Sequence, residues 1–104
     1  MVVMLDKSPE NCKSMHELRL MIDEIDRDLV VKIALRVRCV EQAARIKVRD
    51  DLPAYIPERI EAVIANVRAH AVELGSAPDL METLWRDMID WAVKHETNLM
   101  KRAK

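Results

Sequence analysis

From Leu18 onward the apolar residues Ile22, Ile25, Leu29, Ile33, Val37, Val40 and Ala44 recur at intervals of three and four, with polar residues between them. That interval lines them up along one side of a helix. No glycine or proline intervenes between Leu18 and Pro53, so the period predicts a single helix running unbroken to about Lys47. Its start is marked by Ser14 and Glu17, three residues apart, a spacing at which each side chain can satisfy an amide of the first turn. At 1.5 Å per residue such a helix is roughly 50 Å long, beyond the span of a compact domain of this size. Its own chain alone cannot cover it.

Arg49-Asp50-Asp51-Leu52-Pro53-Ala54-Tyr55-Ile56 gathers charges and a proline and reads as a loop, leading to Pro57 in the first turn of a second helix. Ile60, Val63, Ile64, Val67, Ala71 and Leu74 give that helix one apolar face, and Gly75 is placed to stop it. After Ser76-Ala77-Pro78, Asp79 is the expected cap of a third helix whose face includes Met81, Leu84, Trp85, Met88, Ala92 and Leu99. The pattern therefore predicts an all-α chain of three helices with a very long first one, preceded by a leader over 1–13. No repeat or second domain is apparent.

Composition supports helices and adds the need for a partner. Half of the 104 residues are apolar and a third are charged, with one glycine and three aromatics, which is poor in strand formers. So short a chain buries a smaller fraction of its surface than a longer one does. The formal net charge of −1, with both signs interleaved, argues against a nucleic-acid surface, so any anion site must be local. Met1 to Lys7 is too short and too soon charged for a signal peptide, and no apolar run reaches membrane-span length. The expectation is a cytoplasmic protein with no membrane contact. Cys12 and Cys39 lack metal-ligand spacing and are expected to be inert.

Two cations interrupt the apolar stripe of the first helix. Arg36 and Lys47 are eleven residues apart, hence roughly 16 Å along the axis and within about 20° of one direction. Two long side chains can bracket one small ligand across that gap, although either alone can also lay its stem over core and its head in solvent. No phosphate loop, no His-Glu-x-x-His and no Glu-x-x-His pair is present, so neither metal nor cofactor is expected. His16, His70 and His95 sit on three different helices and read as surface or boundary residues, while the methionines and tryptophans read as core.

Arg19 with Ile22-Asp23-Glu24-Ile25-Asp26, then Arg36, Lys47, Pro57-Glu58-Arg59, and a third helix ending in Trp91 to Glu96, resembles the all-helical chorismate mutase family. The resemblance covers residues 14 to about 100, which makes 14–104 one helical domain of that type. It implies an intertwined homodimer whose paired first helices share two active sites. Arg19 lies about 25 Å up the helix from Arg36, too far for both to touch one small molecule, and so serves the partner's site. By the family pattern, Arg19 of one subunit and Arg36 and Arg59 of the other bind the carboxylates of a small dicarboxylate, and Lys47 donates to its ether oxygen. The implied reaction, chorismate to prephenate, is pericyclic and needs a compact conformer and positive charge at the breaking C–O bond.

Glu96 falls where many relatives carry glutamine. A glutamate donates a hydrogen bond only when protonated, and the neighbouring Trp85, Ile89, Ala92 and Leu99 disfavour its charged form. The expectation is a neutral donor; the alternative is pairing with Lys47. Ile56 stands where some mutases contact a substrate hydroxyl through an acidic residue. Ser8-Pro9-Glu10-Asn11-Cys12 resembles the leader of the isochorismate pyruvate lyases, a branch of the same family, so conversion of isochorismate to salicylate and pyruvate is the alternative activity. A reading of another kind is a non-catalytic helical dimerisation module, against which stand the two cations on the apolar stripe.

Overall fold

The computed structural model describes residues 8–103, so the part of the leader read from Met1 to Lys7, and Lys104, lie outside the described residues. A short 3-10 turn, Pro9–Asn11, precedes three helices: α1 over Met15–Asp50, α2 over Pro57–Glu73 and α3 over Pro78–Ala103. The fold is all-α, and no strand occurs among the described residues. None of the helices is long and apolar enough to cross a membrane.

Local chemistry explains each boundary. The Ser14 hydroxyl accepts from the Glu17 amide at 3.1 Å, and Glu17 reaches back to the amide of Lys13 at 3.2 Å, one residue earlier than the usual reciprocal cap. α1 stops where Asp51 turns left-handed at φ 56°, with the Leu52 amide donating to the Lys47 carbonyl at 2.8 Å. α2 stops the same way at Gly75, φ 68°, with Ser76 donating to the Ala71 carbonyl at 2.8 Å. Asp79 does not cap α3. Pro78 takes the first helical position, the Ala77 carbonyl accepts the first helical bond from Met81 at 3.2 Å, and the Asp79 carboxylate instead lies 3.0 Å from Arg68.

The described residues fall into two compact units divided between Arg36 and Val37. In the first, Ile22, Leu29 and Ile33 of the apolar stripe are exposed while Leu18 and Ile25 are half-buried, and Leu20, Val30, Val31 and Leu35 are exposed on other sides of α1. The second holds the rest of α1 with α2 and α3, and its buried residues are Ala44, Ile64, Ala71, Ile89, Ala92 and Glu96. Three of those five apolar residues are alanines, each removing little surface from water, while a buried isoleucine contributes about 1.5–3 kcal/mol. That core is thin. Met15 and Trp91, expected in the core, are exposed, as are Leu74 and Leu84. Met15 opens α1 and Leu74 follows the last turn of α2, where no neighbouring helix covers them.

Ion pairs reinforce the α2–α3 contact. Arg86 on α3 makes two hydrogen bonds to Glu61 on α2, at 3.0 and 3.1 Å, and a third to Glu82 at 2.7 Å. Arg68 joins from α2, 2.8 Å from Glu82. Arg86 holds both Glu61 and Glu82 below the usual carboxylate range, through its hydrogen bonds first.

Candidate active site

Lys47 occupies the last full turn of α1, and the left-handed stop at Asp51 folds the following loop back over it. The Lys47 ammonium donates to the Ala54 carbonyl of that loop at 3.0 Å. Across from it, α3 supplies Glu96, the one buried charged residue among those described, whose Oε1 lies 2.8 Å from Lys47 Nζ. The Lys47 and Glu96 side chains keep 17% and 8% of their exposure, so the pair is largely withdrawn from solvent. Removing either member of such a pair strands the other and costs about 3–5 kcal/mol. Oε1 nevertheless accepts no well-directed hydrogen bond: the ammonium is 2.8 Å away without hydrogen-bond angles, so the contact is chiefly coulombic. An ammonium has three donors. With Ala54 taking one and Glu96 drawing a second, a third remains for a ligand atom.

Arg59, in the first turn of α2, is exposed; its amide donates to the Ile56 carbonyl at 3.1 Å, and Ile56 itself is half-buried. Arg36 is half-buried and Arg19 exposed. Among the described residues none of these three guanidinium groups makes an ion pair, which leaves their forked donors available to an anion. Of the five residues singled out in the sequence, the structure brings Lys47 and Glu96 into contact; it shows no bond joining them to Arg59. Arg19 and Arg36 belong to the other compact unit.

Beside the pair, Ala54, Tyr55, Thr97, Met100 and Lys101 line an open, mostly apolar groove of about 290 Å³. Thr97 turns its hydroxyl back to the Val93 carbonyl at 2.7 Å and offers no donor there. His16 and His70 are exposed, whereas His95 is half-buried and lies 2.9 Å from Glu41. Both cysteines are free thiols, Cys12 half-buried and Cys39 exposed. Neither the Ala54 acceptor nor the Glu41–His95 contact is apparent in the sequence. The first is a backbone atom, and the second joins residues fifty-four positions apart.

Among the described residues the chain is all-helical, with a lysine and a glutamate paired where its longest helix ends and arginines without ion-pair partners on α1 and α2. The chain belongs to the chorismate mutase type II family, whose sequence pattern matches residues 18–97. It is similar to the T-protein of Enterobacter agglomerans, 39% identical over 69 residues, or 66% of this chain and 18% of that protein. The T-protein of Haemophilus influenzae is 35% identical over 74 residues, 71% of this chain and 20% of its own length. The isochorismate pyruvate lyase of Pseudomonas aeruginosa is 29% identical over 99 residues, 94% of this chain and 96% of that enzyme. The chain thus spans about a fifth of the T-proteins and nearly all of the lyase.

Proposed function

We propose that residues 14–104 form a chorismate mutase domain that rearranges chorismate to prephenate as an intertwined homodimer. The observation that carries this reading is the Lys47 ammonium, held at 3.0 Å by the Ala54 carbonyl and at 2.8 Å by Glu96, with a donor to spare. A cation fixed before substrate arrives can meet the charge that gathers on the ether oxygen as the C–O bond breaks, without reorganising in the process. Arg36 and Arg59 hold the two carboxylates together with Arg19 of the partner subunit, restraining the substrate to the compact conformer the rearrangement needs. The similarity to two T-proteins, 39% and 35% identical over 69 and 74 residues, supports it.

The second reading, an isochorismate pyruvate lyase, is favoured by a specific observation: the match to the Pseudomonas aeruginosa lyase runs along 94% of this chain, leader included. Both reactions break a C–O bond to the same side chain, and the same cations serve both, so fold cannot separate them. Purified protein is to be incubated separately with chorismate and with isochorismate, following prephenate and fluorescent salicylate, with Lys47→Ala as a control. Prephenate formation that collapses in Lys47→Ala is the expected result. Salicylate formed far faster than any prephenate overturns the mutase in favour of the lyase. A wild-type protein that dimerises yet is inert toward both substrates is a dimerisation module.

A further inference from the structure

Two bridges tie α3 to the last part of α1, and they leave α3 from adjacent positions. Glu96 faces Lys47 at 2.8 Å, and His95 Nε2 lies 2.9 Å from Glu41 Oε2. An ionised carboxylate only accepts, so the ring nitrogen is the donor. The face of that imidazole is stacked on Trp91, one turn earlier on α3, with ring centroids 4.7 Å apart and planes inclined by 22°. The ring is therefore held at its edge and on its face, and its side chain keeps 28% of its exposure. Ala44, between the two anchors on α1, and Ala92, one turn before His95 and Glu96 on α3, are buried alanines, residues too small to interlock.

Adjacent residues of a helix point about 100° apart. The Arg86–Glu61 and Arg68–Glu82 pairs hold α3 to α2; on the α1 side a single bridge leaves a pivot, and two bridges that diverge by that angle, to anchors six residues apart on α1, restrict the remaining roll. The Lys47–Glu96 contact, close at 2.8 Å but without hydrogen-bond geometry at Oε1, constrains the direction of the carboxyl group less than a directed bond would. The direction of that carboxyl group follows the rotational setting of its helix.

We propose that Glu41 and His95 form a positioning clasp that sets the rotation of α3 and so aims the Glu96 carboxyl group at Lys47 and at the ligand atom Lys47 serves. The proposal rests on Lys47 and Glu96 acting together on substrate. Neither Glu41 nor His95 touches the reacting atoms. His95→Ala and Glu41→Ala should each lower kcat roughly tenfold with KM little changed, the signature of a misaimed group. His95→Gln, which keeps an N–H donor near the position of Nε2, should recover most of the loss. Introduced into Glu96→Ala, His95→Ala should cause no further loss of kcat, because the group it aims is already gone.

A brace with no role in aiming would lower the thermal midpoint equally in both backgrounds and leave kcat of the folded protein unchanged, and that result overturns the clasp. Should His95→Ala fail to fold, Glu41→Ala carries the test, since it leaves the Trp91–His95 stack in place. An unchanged kcat there overturns the proposal, and a fall with KM unmoved supports it. A wild-type protein inert toward both chorismate and isochorismate overturns the functional reading and the clasp together, an outcome distinct from an active enzyme indifferent to His95.

Discussion

Glu96 poses the sharpest chemical question at the scale of single residues. With Lys47 2.8 Å away, the unliganded pair is arranged as carboxylate and ammonium. A substrate whose ether oxygen gains negative charge beside that carboxylate meets repulsion unless Glu96 carries a proton, in which case it becomes a second donor to the same oxygen. Glu96→Gln, an uncharged group of the same shape that donates through its amide, should keep turnover, whereas Glu96→Ala should lower kcat roughly tenfold; kcat of the two variants checks this, and a Gln variant as impaired as the Ala variant removes the donor role. Lys47 is legible in the sequence because a cation on an apolar stripe breaks a pattern, and its pairing with Glu96 follows from two charges facing one core. His95 and Trp91 carry no such signal. The first reads as a boundary histidine and the second as core, and only the fold shows that they stack at 4.7 Å with Glu41 at the ring's edge.

At the scale of elements, the sequence is most informative where stereochemistry leaves one choice. Pro57 opens α2 as expected, and Gly75 closes it at φ 68°, a conformation that costs an L-residue about 1 kcal/mol. A Cβ at Gly75 meets nothing within 4 Å, so Gly75→Ala carries the backbone cost without a clash. The variant should lose about 1 kcal/mol in chemical denaturation and keep its turnover, because the turn lies at the far end of α2 from Arg59. The end of α1 is less legible because its left-handed residue is Asp51, and aspartate is also at home in ordinary turns. The start of α3 misleads for a related reason. Asp79 is a good capping type, but Pro78 claims the first helical position and Arg68 draws the aspartate into an ion pair. Local propensity marks the neighbourhood of a boundary, and a tertiary contact chooses the residue.

At the scale of the whole molecule, the exposed apolar residues of α1 and the thin core of the second unit ask for a partner. Leu29, Val30, Val31 and Leu35 are each about half or more exposed, and a run of such residues on one helix is costly in water unless covered. In the proposed homodimer a second copy of α1 covers it, and the subunits then share their sites: Arg19 of each chain serves the site built on the other's Lys47. Two inactive variants should therefore complement one another. Arg19→Ala and Lys47→Ala each destroy both sites of their own homodimers. After equimolar mixing and subunit exchange, about half of the dimers are mixed, and each of those has one site with both residues intact. Turnover should return to about one quarter of wild type, and it should appear on the timescale of exchange followed by size and mass measurements of the mixture. Exchange that proceeds to completion with no recovered activity would mean that Arg19 serves the site of its own chain, and the shared-site dimer would have to be abandoned.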